Sequence, residues 1–241
     1  MAANEKCEFG ICNGSGWILR DDNTSEPCQC RPARLARKRM DGIESAIPRR
    51  FRGVSFDRPP ISDMANGPAR IAVKAAREFV ASIDKQIDEG RGLWFEGGVG
   101  TGKTSLAMLV SRAAIAASHT VAIYSTPRLL ARIRRTFEAQ AGEDTYLDFF
   151  DRLTSVDLLH LDDLGAENRT EWVIEQLYAI VDERYQSQRS VVVTTNLGYD
   201  ELAEQIGERT VSRLVEICGD PINLGEVDLR LSKPPAGYPA A

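Results

Sequence analysis

The run GGVGTGKT, from Gly97 to Thr104, holds the residues of this 241-residue chain best placed to do chemistry. Glycines at 97, 98, 100 and 102 permit positive φ and close backbone approach, so successive amide N–H groups can turn inward around phosphate oxygens. The pattern G-x-x-x-x-G-K-[ST] adds an ammonium at Lys103 for the β and γ phosphates and a hydroxyl at Thr104 for Mg²⁺. The expected nucleoside triphosphate contacts are Gly97, Gly98, Val99, Gly100, Thr101, Gly102, Lys103, Thr104 and Ser105. An accidental glycine-rich turn is the competing reading. The flanks argue against it: Leu93, Trp94 and Phe95 read as a short buried strand, and Thr104 to Ala117 as a helix rich in alanine and leucine. Strand, glycine loop and helix are the setting the motif requires.

A second group of candidates ends another apolar run. VDLLHLDDLG, 156 to 165, puts Asp162 and Asp163 at the carboxyl end of a strand, where open α/β sheets bind ligands. Parallel adjacency to the strand that feeds the loop would place Asp162 beside the Mg²⁺. Asp163 would then orient or deprotonate an attacking water, which makes hydrolysis the expected reaction. VVVTTN, 191 to 196, ends a third strand at the same edge and offers Asn196 to the water or the γ-phosphate. Capping and turn formation are the plainer roles open to these three side chains.

Four of the five cysteines fall in the first thirty residues: Cys7 and Cys12, then Cys28 and Cys30. Two close pairs separated by a loop can bring four thiolates around one tetrahedral Zn²⁺. A segment this short has too few apolar residues for its own core, so the metal would supply its folding energy. Disulfides compete, against the reducing cytosol expected for an ATP-binding protein, as do unliganded thiols in a disordered leader. Neither pair has the common C-x2-C spacing. His119 and His160 fall in expected strand regions and read as packing residues, not ligands.

The elements that must position these groups follow from periodicity. Apolar positions 71, 73, 79, 80, 83 and 87 imply one helix over 69–89, and 47–60 reads as a linker with three prolines and a glycine. Strand 121–124 is followed by a helix from Pro127 to about 140, with Leu129, Ile133 and Phe137 on one stripe and Arg128, Arg132, Arg134 and Arg135 elsewhere. A helix at 145–153, strand 156–161, helix 170–187 and strand 191–195 complete an alternation that implies an α/β fold with a parallel sheet. No internal repeat is visible.

Hydrophobic residues at 43% and charged residues at 27% are ordinary for a globular protein. No apolar run is long enough for a membrane span and MAANEKCE is no signal peptide, so a cytoplasmic setting is expected. The net charge of −5 is uneven: residues 31 to 52 carry eight bases against two acids, a local +6 that leaves −11 elsewhere. That stretch is either a site for an anionic partner such as nucleic acid or a solvated basic helix. The expected organisation is a cysteine-rich module with a basic helix over 1–46, a nucleotide-binding domain over 47–231 and a disordered proline-rich tail over 232–241.

Gly97 to Thr104, LDDLGAE at 161–167, TTN at 194–196 and ERTVSRL at 208–214 together resemble the AAA+ ATPases of the DnaC/DnaI helicase-loader and IstB transposition-helper group. The resemblance covers roughly residues 47 to 231. It implies that Lys103 and Thr104 form Walker A, Asp162 and Asp163 form Walker B, and Asn196 is sensor 1. It makes Arg213 the arginine finger that reaches a neighbouring copy in a homo-oligomer, with Arg209 second. It also implies ssDNA contact through the arginine-rich helix 127–140, and a client that is a replicative helicase or a transposase. With 45 residues after Asn196, no separate helical lid is expected, in keeping with that group. Arg230 is expected near the nucleotide or as an end cap, and Cys218 in packing. A small-molecule kinase would have no use for TTN and ERTVSRL; a nucleic-acid binding module with a silent ATP site is the non-enzyme alternative.

Overall fold

A computed structural model describes residues 7, 9–20, 24–31, 34, 47–65, 67, 69–137 and 145–230. The tail 232–241, the end of helix 127–140 and, apart from residues 31 and 34, the basic stretch over 31–46 lie outside the described residues. The first elements are β1 (Trp17–Leu19), β2 (Ser25–Pro27), a 3-10 turn (Arg49–Phe51), α1 (Ile61–Met64), α2 (Arg70–Ala81), α3 (Ile83–Asp88), β3 (Leu93–Glu96) and α4 (Lys103–Ala116). There follow β4 (Val121–Ser125), α5 (Thr126–Phe137), α6 (Tyr146–Ser155), β5 (Leu158–Asp162), α7 (Glu171–Gln186), β6 (Ser190–Thr195), α8 (Tyr199–Ile206), α9 (Glu208–Cys218) and β7 (Ile222–Asn223).

Five of these strands form a parallel sheet in the order β4-β5-β6-β3-β7. Side chains alternate across a strand, so each apolar run feeds two cores. Trp94, Leu159, Leu161, Val191 and Val193 face α5 to α9; Leu93, Phe95, Leu158 and Val192 face α2 and α4. β1 and β2 form a separate antiparallel pair beside the cysteines.

Several expectations change. The strand carrying Asp162 is not next to the strand feeding the loop, because β6 lies between them. The helix expected over 69–89 is two, broken where Ser82 leaves helical geometry (φ −126, ψ 36) and its hydroxyl donates to Glu78 O. Ile71 faces solvent, while Ala72, Val73, Ala76 and Phe79 make the buried face. The 47–60 stretch is no free linker: Phe51 and Val54 are buried in the α2–α4 core, and Arg112 Nη1 donates to Arg52 O at 3.0 Å. Phe137 leaves its expected stripe and stacks on Tyr146. His119 precedes β4 and bonds Asp84, and the fully buried His160 lies 2.9 Å from Ser111 Oγ, so neither is mere packing.

One buried cation fixes the far end of the sheet. Arg184, on α7, has no exposed surface and donates to the carbonyls of Leu153, Thr154, Val156, Asp157 and Ser190. Burial, then repulsion from Arg189, pulls its pKa down to about 9. These carbonyls lie at the starts of β5 and β6 and at the end of α6, so one side chain aligns the strands whose other ends carry Asp162 and Asn196. Arg184→Met keeps much of the apolar volume and strips five acceptors of a donor. It is expected to cost about 3 kcal/mol or more, read as a lower urea midpoint.

Candidate functional site

The phosphate loop leaves β3 and opens α4. Gly102, at φ +98, takes a left-handed turn that suits glycine, directly before Lys103 begins the helix. Lys103 is 6% exposed, and its ammonium donates at 2.7 Å to Gly97 O and to Gly98 O and at 2.8 Å to Asn196 Oδ1. Burial pushes its pKa down, and the carboxylates of Asp163, Asp162 and Glu226 push back. The Thr101 hydroxyl donates to Gly98 O at 2.9 Å and braces the loop.

Asn196, at the end of β6, passes the connection on: its Nδ2 donates to Asp163 Oδ1 at 2.8 Å. Asp163 itself has φ +61, a left-handed backbone uncommon outside glycine and worth attention at a functional site. It is held there because its N–H donates to Thr194 Oγ1 at 2.9 Å and the next N–H, of Leu164, donates to Thr194 O at 2.8 Å. Thr194 Oγ1 in turn donates to Asp162 Oδ1 at 2.7 Å. Burial raises the Asp162 pKa, but the His160 imidazole 3.9 Å away, with hydrogen bonds from Thr194 and Thr104, brings it below the usual carboxylate range.

These groups meet in a cleft of about 450 Å³. Of the residues expected there, Val99, Gly100, Gly102, Lys103, Thr104, Ser105, Asp162, Asp163 and Asn196 line it. Gly97, Gly98 and Thr101 instead form the inner side of the loop that holds Lys103. Five lining residues escaped the sequence reading, one of them Thr194 on β6. Arg50, Phe51 and Pro60 come from the supposed linker and Leu229 from the closing segment, while Arg230 is at the cleft as well. An apolar flank beside the phosphate loop is where a base would lie. Aromatic Phe51 between arginines was the signal available.

The closing segment also explains the loop's composition. Leu224 N donates to Glu96 O, Gly98 N to Gly225 O, and Leu229 N to Gly100 O, so 224–229 runs along the loop as a strap. A Cβ at Gly100 would collide with the Asp228 carboxylate, so this glycine serves close packing against the strap as well as its φ of +80.

Arg213 does not line the cleft. From α9 its Nε pairs with Asp182 Oδ1 at 3.0 Å and its Nη1 with Glu216 Oε1 at 2.9 Å, and its guanidinium lies 4.3 Å from the Tyr185 ring centre. Arg209, one turn earlier, is exposed. On α5, Arg134 lies over the Trp172 ring and Arg132 over Phe149. Burial raises the Cys218 pKa, and its thiol packs against Val191 O.

In the N-terminal module the sulfurs of Cys7, Cys12, Cys28 and Cys30 all lie within 4.8 Å of one another. Cys7 and Cys28 are 3.7 Å apart and Cys12 and Cys30 3.6 Å apart, and all four are free thiols rather than disulfides. Tetrahedral Zn–S bonds of about 2.3 Å place sulfurs about 3.8 Å apart, so the donors fit that ion. A backbone N–H from Cys12 pulls Cys7 down to about 6, while burial and then the neighbouring thiols push Cys30 up to about 12. Among the described residues no helix is long and apolar enough to cross a membrane.

Residues 74–215 match the family described as IstB-like ATP binding protein. The chain is 32% identical over 130 residues to the uncharacterized protein YdaV of Escherichia coli strain K12, covering 54% of this chain and 51% of that one. It is 27% identical over 143 residues to the replicative helicase loader DnaC of the same strain, covering 59% and 56%. It thus spans about half the length of these curated relatives. Its fold is similar to the crystal structure of the DnaC helicase loader, with a TM-score of 0.63 at 27% identity over 73% of this chain and 99% of that one. The crystal structure of DnaI gives a TM-score of 0.58 at 21% identity over 75% and 93%, a likeness of fold alone. With more than half of its length matched and a phosphate loop on a parallel sheet, the chain belongs to the IstB-like ATP binding protein family, on an AAA+ P-loop fold.

Proposed function

We propose that this protein is a cytoplasmic ATPase of the helicase-loader type, which binds ssDNA and helps place a replicative hexameric helicase. The observation that carries the reading is the chain of contacts from Lys103 through Asn196 to Asp163, beside Asp162 and Thr104 in one cleft. It joins the two ends of a phosphoryl-transfer site, the group that binds phosphate and the group that handles water. The likeness to DnaC supports the client over others.

Thr104 and Asp162 would hold Mg²⁺, which when bound supplies positive charge against the phosphate oxygens. Lys103 binds the β and γ phosphates after exchanging its bonds to Gly97 O and Gly98 O. The amides of Gly100, Gly102 and their neighbours orient the phosphates. Asp163 accepts the proton of the attacking water, and Asn196 fixes that water's position. Arg213 serves as the finger toward a neighbouring copy in a homo-oligomer, with Arg209 as the alternative, so hydrolysis depends on assembly. In one chain Arg213 is tied to Asp182 and Glu216, and assembly has to replace those bonds.

The arginine-bearing α5 carries ssDNA contact, and the cysteine module with its basic neighbour holds one Zn²⁺ and serves the client. Because the family matched is the IstB-like one, a transposase is the second client to test.

ATP turnover is expected to rise with ssDNA. Lys103→Ala should lower it about a hundredfold or more, and Arg213→Ala about a thousandfold, with the replicative helicase recovered by co-purification. ATP binding with background turnover in every condition would sink the enzyme reading in favour of a binding module. Recovery of a transposase in place of the helicase would assign the client to the second class. For the cysteine module, elemental analysis should find one zinc per chain. Cys12→Ser should lose it without lowering ATP affinity, since the two sites share no residue.

A further inference from the structure

Buried polar side chains in native proteins almost always have hydrogen-bond partners. Behind the cleft, Ser111 and His160 are fully buried and Thr194 is 1% exposed, among the apolar side chains of the sheet-and-helix interior. Ser111 stands in the middle of α4, the helix that begins with Lys103, and its Oγ lies 2.9 Å from His160 Nδ1. His160 is on β5 two residues before Asp162, so both project from the same face of the strand. Its other nitrogen, Nε2, is buried, has no hydrogen-bond partner among the described residues and faces Asp162 Oδ1 at 3.9 Å. That same oxygen accepts from Thr194 Oγ1.

We propose that Ser111 and His160 are positioning residues for Asp162, with an N–H at His160 Nε2 aimed at the carboxylate. The tautomer follows from the partners. With the proton on Nε2, the Ser111 hydroxyl donates to Nδ1 and an N–H is aimed at the carboxylate. With the proton on Nδ1, a bare ring nitrogen would confront the lone pairs of Asp162 in a dry interior. Two donors, Thr194 and His160, then address Oδ1 and leave the other carboxylate oxygen to the cleft. Because Ser111 rides on the helix that Lys103 opens, the relay also ties the orientation of Asp162 to the phosphate-binding element. The inference rests on the reading of Asp162 as a Mg²⁺ ligand given above.

The test uses the fact that the chain has only two histidines. In the full-length His119→Gln protein every imidazole signal belongs to His160, and ¹⁵N NMR of the nucleotide-free protein reads its tautomer directly. The Nε2–H form is expected, shifting toward a mixture in Ser111→Ala; an Nδ1–H form overturns the proposal. The second readout is Mn²⁺ affinity by electron paramagnetic resonance with a non-hydrolysable ATP analogue. His160→Leu suits the apolar core yet should bind Mn²⁺ about tenfold more weakly, as loss of an outer-shell partner does. His160→Gln keeps an N–H donor and should restore much of that affinity. Wild-type affinity in His160→Leu overturns the proposal. Should the leucine variant not fold, Ser111→Ala gives the same comparison. If the wild-type protein binds no Mn²⁺ with nucleotide, the ATP reading itself fails, and the tautomer still decides the buried relay.

Discussion

An ammonium group drawn into the interior of a protein needs acceptors on every side, and Lys103 finds them on two stretches of chain far apart in sequence. Two loop carbonyls and the Asn196 amide oxygen surround it, at the cost of a pKa pushed down by burial. Because Asn196 also donates to Asp163, the loop after β3 and the ends of β6 and β5 are joined by side-chain bonds at one edge of the sheet. The left-handed Asp163 backbone is tolerable for the same reason: Thr194 takes its N–H and fixes the next one.

Everything at that edge depends on strand register. Parallel pairing sets Glu96 opposite Thr195 and Ser125 opposite Asp162, which leaves Asp162 at the end of β5 and Asp163 and Asn196 just beyond the last pairs. At the other end of the same strands, Arg184 gathers carbonyls from the starts of β5 and β6. A slip of one residue would turn every apolar side chain of a strand to the wrong core, so the two cores and the buried guanidinium guard the same alignment.

The site is also bordered by chain far away in sequence. Arg50, Phe51 and Pro60 approach it from before α1, and the strap 224–229 follows the phosphate loop so closely that a Cβ at Gly98 or Gly100 would meet the carboxylate of Glu226 or Asp228. The cysteine module follows a different rule. Four sulfurs within 4.8 Å stand in for a core that so short a segment cannot build from apolar residues.

The sequence by itself determined the phosphate loop, the aspartate pair, Asn196, the cysteine set and the alternation of strands with helices, because each is written in local spacing and residue type. Local spacing carries no strand order. Only the tertiary structure decided that β6 lies between β3 and β5, so that Asp162 reaches the cleft through Thr194 and not by direct adjacency. The same holds for the stretch before α1. Its prolines mark a break in periodicity whether the chain is free or packed, and only the burial of Phe51 and Val54 tells which. His160 looked like one more apolar-run residue until Ser111 and Asp162 appeared beside its two nitrogens. Those contacts join α4 to β5 across 49 residues of chain, and a hydrogen bond between distant elements leaves no period in the sequence.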